Sequence, residues 1–127
     1  MNEISFIEGV LRETGDLVRT KYAERDSLDI TTKRDANDLL TEVDLSVQDC
    51  IVERIRKTYP TDHIVAEERG LGDMPDGNVR AWVIDPIDGT ANFVRSLFPT
   101  FGISVGFAIG GRPVAGGIML PMGDELF

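Results

Sequence analysis

The sequence has little cysteine and little histidine, and each shortage excludes a class of site. Cys50 is the only cysteine, which excludes an internal disulfide and a CxxC zinc or redox site. A single thiol is compatible with a reducing compartment, so a cytoplasmic protein is expected. We predict that Cys50 is a small packing residue. His63 is the only histidine, and it is predicted to be a strand or surface residue because no second histidine can share a metal with it.

Basic residues and long apolar runs are also scarce. Thirteen Lys and Arg stand against 22 Asp and Glu, which gives a net charge of −9. This charge repels nucleic acid and anionic membranes, and no basic run counteracts it. The segment MNEISFIEGV lacks the basic start of a targeting signal, and the most apolar stretch, residues 101–111, is short and interrupted by glycines. We therefore expect no nucleic-acid partner, no membrane partner and no export.

The composition is that of a packed globular domain. The chain has 127 residues, of which 42% are apolar and 28% are charged. One domain over residues 1–127 is expected. The acidic surplus has two interpretations: a surface that keeps the chain in solution, or carboxylates gathered to hold hard cations such as Mg²⁺.

The hydrophobic pattern predicts two helices in the first half of the chain. Between residues 4 and 22, apolar side chains recur at steps of three, four or seven, as on one face of a helix. A second helix is predicted to begin near Thr41, because TEVD has the spacing of a capping box, and to end at Pro60. Asp44 could then simply cap this helix. An irregular loop or short strand is expected over residues 25–37.

The second half of the chain predicts strands. HIVAEE is typical of a short buried strand that ends in Glu67 and Glu68, and residues 81–84 form an apolar run that Asp85 and Pro86 should stop. GTANF at residues 89–93 could begin a short helix. Two apolar segments separated by glycines at positions 110 and 111 predict a β-hairpin. Helices first and a hairpin last favour an α+β layered domain over a doubly wound parallel one.

The acids at the two predicted strand ends form the candidate site. Asp85 and Asp88 flank a proline turn in DPIDGT, and if the strands lie side by side, Glu67 and Glu68 join them. Four carboxylates at that spacing repel one another unless cations neutralise them. Gly89 permits close backbone approach, and amides after it can hold a phosphate. The alternative is structural: an ordinary turn and a solvated strand end.

The combination WVIDPIDGTANF at residues 82–93, AEE at 66–68 and TEVD at 41–44 resembles the inositol monophosphatase family over nearly all of the chain. The resemblance implies a Mg²⁺-dependent, lithium-sensitive phosphatase for small phosphate monoesters. It also implies a layered α/β/α/β/α sugar-phosphatase fold that forms a homodimer. This chain would supply the N-terminal part, with two long helices packed on a mainly antiparallel sheet.

The resemblance implies a metal site for about two or three Mg²⁺ ions, with Mn²⁺ as a possible substitute. Glu67, Asp85 and the backbone carbonyl of Ile87 match the ligands of the first ion. Asp85 and Asp88 match ligands of the second, which makes Asp85 the bridge. Lys33 lies where the family often has a basic residue near the metals, although a solvated lysine is an equal alternative.

The same resemblance implies the roles in hydrolysis. Thr90 and Asp44 match the pair that orients and deprotonates the attacking water, and Glu68 matches an acid that assists a nearby water. Backbone amides around Gly89, Thr90 and Ala91 would hold the phosphate. The substrate-binding set implied in this way is Glu67, Ile87, Asp88, Gly89, Thr90 and Ala91.

Two departures from the family pattern have consequences. Ala91 stands where a second threonine is common, so one hydroxyl contact is absent. The WDxAAG-type motif of the family's second half is also absent from the sequence. We therefore expect little or no phosphatase activity from the isolated chain, and association through an exposed sheet edge.

The substrate interpretation has a first choice and several alternatives. Inositol monophosphate is the first choice, and histidinol phosphate, fructose 1,6-bisphosphate and 3′-phosphoadenosine 5′-phosphate are alternatives within the enzyme class. A truncated, non-catalytic protein that binds a metal or a partner is the alternative outside it.

Overall fold

The computed structural model describes residues 2–24, 36–66, 73–88 and 102–127. In chain order these form two helices, five strands and one short 3₁₀-helix at Pro121–Gly123. The helices are α1 (Glu3–Glu24) and α2 (Ala36–Thr58), and the strands are β1 (His63–Ala66), β2 (Arg80–Asp88), β3 (Gly102–Ile109), β4 (Arg112–Leu120) and β5 (Glu125–Leu126). No helix within these ranges is both long and apolar enough to cross a membrane.

Helix α1 confirms the prediction from periodicity. The side chain of Asn2 accepts a hydrogen bond from the backbone N–H of Ser5 at 2.8 Å, which caps the first turn. Most of the predicted apolar face is buried, with Ile7, Leu11 and Val18 each at most 3% exposed, whereas Ile4 at its start is 66% exposed. The helix therefore forms because one face can be covered by the rest of the fold.

Helix α2 begins at Ala36, so the predicted start near Thr41 is wrong. TEVD lies inside the helix, and Asp44 belongs to its third turn, which also rules out N-terminal capping by Asp44. The two key residues of a capping box are three positions apart, about one helical turn. The same sequence pattern therefore also occurs inside helices. The end is as predicted, at Thr58 before Pro60. Residues 36 and 37 of the expected loop are helical, and residues 25–35 lie outside the described ranges.

The sheet has the order β1-β2-β3-β4-β5. Strand β1 runs parallel to β2, and the other three pairings are antiparallel, which confirms the expectation of a mainly antiparallel sheet. The predicted hairpin is also confirmed, as β3 and β4. Its turn glycines, Gly110 and Gly111, have φ angles of 60° and 77°, and such positive values suit a tight two-residue turn.

Strand β2 continues through Asp88, so the prediction that Asp85 and Pro86 end it is wrong. Its pairing with β3 shifts register between Asp85 and Asp88. A bulge of this kind tolerates a proline, because a ladder hydrogen bond is already missing there. The helix expected from GTANF at residues 89–93 lies outside the described ranges.

The core lies between the two helices and one face of the sheet. Trp82 and Ile84 of β2 point into it, as do alternate residues of the next strands. The members from β3 and β4 are Ile103, Val105, Phe107 and Met119. On the other face of the sheet, Val83 and Ile118 are 37% and 48% exposed. The helix layer therefore covers one side of the sheet and leaves apolar side chains on the other.

Candidate active site

The parallel pairing of β1 and β2 sets the geometry of the candidate site. Ala66, the last residue of β1, lies opposite Ile84 of β2. In both segments the next residue along the chain is an acid: Glu67 follows Ala66, and Asp85 follows Ile84. Parallel strands run in the same direction, so both acids directly follow the members of one residue pair.

Asp85 is the predicted ligand whose surroundings are best described. It is half-buried and lies opposite Ser104 of β3, immediately before the bulge in β2. The backbone of Ile87 and Asp88 continues the strand, and Asp88 lies opposite Gly102. The bulge interrupts the regular pleat where the family's metal ligands are expected, and bulges are common next to active sites.

The other predicted site residues fall into two groups. Asp44 lies in α2, and the structure describes its helical backbone. Lys33, Glu67, Glu68, Gly89, Thr90 and Ala91 lie outside the described ranges, so their roles stay predictions. Within the described ranges, no cluster of three or more His, Cys, Asp or Glu side chains could hold a metal.

The predicted donors suit Mg²⁺ by their chemistry. Mg²⁺ prefers oxygen ligands and is commonly held by one or two carboxylates. Asp85 offers a half-buried carboxylate beside a strand bulge, and every other proposed donor is a carboxylate or a backbone carbonyl. The residue types and the placement of Asp85 therefore fit the metal that the resemblance implies.

A polar network at the opposite end of β1 and β2 was missed in the sequence. Asp62 directly precedes β1, and one of its carboxylate oxygens accepts a hydrogen bond from Arg80 Nε at 2.9 Å. The other oxygen accepts one from Trp82 Nε1, also at 2.9 Å. The side chain of Asp62 is 5% exposed, so both carboxylate oxygens accept their hydrogen bonds in a buried environment. The signal available in the sequence was an acid before one strand and an arginine at the start of the next.

Arg80 connects this network to α1, to Tyr59 directly after α2, and to β3. Its guanidinium forms an ion pair with Glu3 of α1 at 3.0 Å and lies over the rings of Tyr59 and Phe107, 5.5 Å and 4.6 Å from their centroids. The hydrogen bond to Asp62 raises the pKa of Arg80 above its usual value. The pKa of Glu3 is lowered by a backbone hydrogen bond and by Arg80. The arginine is therefore held as a cation by two carboxylates.

The sequence profile of the inositol monophosphatase family matches residues 2–127. The chain belongs to the inositol monophosphatase family. This membership confirms the resemblance found in the sequence. The inositol monophosphatase family is a family of phosphatases that are generally metal-dependent.

Relatives of this inositol monophosphatase family member include a curated protein and solved structures. Nus factor SuhB from Pasteurella multocida is 40% identical over 116 residues, which cover 91% of this chain and 42% of SuhB. The structure of inositol monophosphatase II from Staphylococcus aureus MSSA476 matches with a TM-score of 0.79 at 34% identity, over 96% of this chain and 44% of that one.

Another solved structure is SaIMPase-II with inositol monophosphate bound, at a TM-score of 0.75 and 33% identity, over 97% of this chain and 42% of that one. The chain thus spans less than half the length of these relatives. The two helices and the mixed sheet form the fold found in members of the inositol monophosphatase family.

Proposed function

We propose that this chain is the metal-binding part of a Mg²⁺-dependent phosphatase that hydrolyses small phosphate monoesters. The observation that carries the proposal is the β1–β2 register, in which Ala66 lies opposite Ile84 and an acid follows each of them. Family membership supports the same chemistry. In this proposal residues 1–127 form one N-terminal domain of the intact protein.

Four residues hold the metals in this proposal. Glu67, Asp85 and the backbone carbonyl of Ile87 would hold the first ion, and Asp85 and Asp88 would hold the second. When bound, Mg²⁺ supplies positive charge that offsets the negative charge on the phosphoryl oxygens and on the leaving oxygen. In this proposal the carboxylates would repel one another without cations, as expected of a site that binds divalent ions.

The remaining site residues position the reactants. Thr90 and Asp44 together orient and deprotonate the attacking water, while Glu68 assists a second water. Backbone amides at Gly89, Thr90 and Ala91 donate hydrogen bonds to the phosphate. Water attacks phosphorus in line with the leaving alkoxide, so no covalent phosphoenzyme forms.

Inositol monophosphate is the substrate that we propose first. A structural relative at 33% identity is SaIMPase-II with that ester bound. Histidinol phosphate, fructose 1,6-bisphosphate and 3′-phosphoadenosine 5′-phosphate are the competing substrates. Phosphate release from each ester by the intact protein, with Mg²⁺ and with EDTA, separates them. We expect the highest kcat/KM for inositol monophosphate and no release in EDTA.

Metal binding tests the proposal on the chain itself. Calorimetric titration of the 127-residue chain with Mn²⁺ should give saturable binding that Mg²⁺ competes away. Absence of saturable binding at millimolar Mn²⁺ would contradict the proposed site. Phosphate release that continues in EDTA would contradict the proposed chemistry.

A binding role is the second candidate, because the curated relatives carry the name Nus factor SuhB. In this alternative the protein acts through a partner, and we propose a homodimer as its assembly in either case. Genetic complementation separates the two roles. An Asp85→Asn protein that replaces the wild type in the cell would favour the binding role, whereas loss of complementation by a folded variant would favour catalysis. Analytical ultracentrifugation of the intact protein tests the dimer.

A further inference from the structure

The short strand β1 needs an anchor if its residues are to define a site. It has four residues and lies at the edge of the described sheet, where β2 is its hydrogen-bonded neighbour. A slip of one residue would turn its side chains to the opposite face of the sheet, and a slip of two would move it by about 6–7 Å along β2. Either slip would change which residue of β2 pairs with Ala66, the residue before Glu67.

The buried carboxylate of Asp62 supplies such an anchor. It binds Arg80 and Trp82, the residues on either side of Ala81, and Ala81 is the partner of His63 at the start of β1. Each carboxylate oxygen accepts one of these hydrogen bonds, so a shift of β1 along β2 would break at least one of them. Because the side chain is 5% exposed, water could not fully replace the lost bond.

The anchor also fixes the end of α2. The backbone N–H of Asp62 donates a hydrogen bond to the carbonyl of Tyr59 at 3.1 Å, in the turn that joins α2 to β1. One residue therefore ties together α2, β1 and β2. These elements carry Asp44, lead to Glu67 and carry Asp85 respectively.

We propose that Asp62 is a positioning residue, which fixes the parallel register of β1 on β2 and thereby the pairing of Ala66 with Ile84, the residues directly before Glu67 and Asp85. The role in metal binding rests on the proposed function, whereas the role in strand register does not. Asp62 lies five residues before Glu67, about 16 Å along an extended strand, so it acts through β1 rather than by contact with a metal.

Disulfide cross-linking reports the register directly. In a Cys50→Ser background, the pair Val65→Cys and Val83→Cys reports the observed register, since these two residues lie opposite each other. The pair Val65→Cys and Ala81→Cys reports a slip of two residues. With Asp62 present, the first pair should cross-link and the second should not. Asp62→Asn leaves one buried donor without a good acceptor, and the ratio of the two products should fall about tenfold.

Mn²⁺ affinity reports the effect on the site. Asp62→Asn should weaken Mn²⁺ binding by the chain about tenfold, as changes to residues that orient metal ligands commonly do. Glu3→Gln is the matched control, because Glu3 binds the same guanidinium at 3.0 Å but belongs to α1. The control should leave both the Mn²⁺ affinity and the cross-linking ratio within about twofold of wild type, even if it lowers the melting temperature.

A second variant covers the case in which Asp62→Asn does not fold. Trp82→Phe keeps an aromatic ring in the core and removes the N–H donor to Asp62. It should shift the cross-linking ratio and the Mn²⁺ affinity in the same direction by a smaller factor. Circular dichroism at the assay temperature establishes that each variant is folded.

The outcomes separate this inference from the proposed function. An unchanged cross-linking ratio in folded Asp62→Asn overturns the role in register. A changed ratio with unchanged Mn²⁺ affinity overturns the role in positioning the site. If the wild-type chain binds no Mn²⁺, the proposed function fails, and the cross-linking ratio alone decides whether Asp62 fixes the register.

Discussion

Glu13 on α1 forms an ion pair with Arg54 on α2, and this pair joins the two helices at the protein surface. The thiol of Cys50, one turn before Arg54 on the same helix, contacts the same carboxylate at 3.7 Å. Burial raises the pKa of Cys50 to about 11, and the negative charge of Glu13 adds to the shift. Cys50 is thus a half-buried thiol held in its neutral form, in keeping with the predicted packing role.

We predict that Cys50 reacts slowly with thiol reagents in the folded chain. At pH 8 a thiol with a pKa of about 11 has roughly two-hundredfold less thiolate than a free cysteine with a pKa of about 8.5. The rate with iodoacetamide, followed by mass spectrometry, should therefore rise steadily from pH 8 towards pH 11. Glu13→Gln removes the negative charge and should increase the rate at pH 8, while Glu8→Gln, on the same helix, should not.

The same pKa shift has a consequence for stability. The pKa of Cys50 is higher in the folded chain than in the unfolded chain, so the unfolded state releases the thiol proton first as the pH rises. The contribution of this thiol to the free energy of unfolding is complete below about pH 8.5 and is lost as the pH rises towards 11. Urea unfolding of the wild type and of Cys50→Ser should differ in this pH range. A pH dependence identical in the two proteins would contradict the shifted pKa.

Two adjacent glycines of β4 should respond in opposite ways to an added methyl group. A Cβ at Gly117 would lie 2.8 Å from Ile7 Cγ2 and 2.8 Å from Leu11 Cδ1 of α1, whereas a Cβ at Gly116 would meet the carbonyl oxygen of Val105 at 3.7 Å. Gly117→Ala should lower the free energy of unfolding by about 1–3 kcal/mol, because the core would be overpacked. Gly116→Ala should be neutral or raise it by up to about 1 kcal/mol.

Chemical unfolding of both alanine variants, compared with the wild type, checks this pair. The two substitutions have the same composition and lie in the same strand, so a difference between them measures the contact with α1. Equal destabilisation by both variants would contradict the prediction, because an added Cβ meets α1 at Gly117 and not at Gly116.

The sequence predicted the elements better than it predicted their ends. Periodicity located α1, α2 and the β3–β4 hairpin, because each has one buried face or a glycine turn. The start of α2 was wrong because Thr41 to Asp44 matches a capping box whether it begins a helix or lies within one. The end of β2 was wrong because a bulge lets the strand continue past Pro86.

In the candidate site, too, some features were predictable from the sequence and others were not. The acids were visible in the sequence because Glu67 and Asp85 each follow an apolar run of residues. The parallel register that pairs Ala66 with Ile84, the residues before Glu67 and Asp85, was not visible, since it depends on pairing between distant segments. Asp62 was missed for a related reason, because its partners Arg80 and Trp82 are 18 and 20 residues away in the chain.

Asp85→Asn should remove most of the metal binding of the chain. The substitution keeps the size of the side chain but removes a charge that, in the proposed site, is shared by both ions. Loss of a residue that only supports a ligand weakens metal binding about 10–100-fold, so loss of a bridging ligand should weaken it by more than about a hundredfold. Calorimetric titration with Mn²⁺ measures this change.

The melting temperature supplies an independent readout of the same site. A metal that binds only the folded chain stabilises it in proportion to the logarithm of its concentration, so Mn²⁺ should raise the melting temperature of the wild type and leave that of Asp85→Asn almost unchanged. Asp76→Asn, an exposed aspartate between β1 and β2, is the matched control and should behave as the wild type. Equal Mn²⁺ stabilisation of all three proteins would place the metal away from Asp85, because a bridging carboxylate cannot be neutralised without a loss of affinity for both ions.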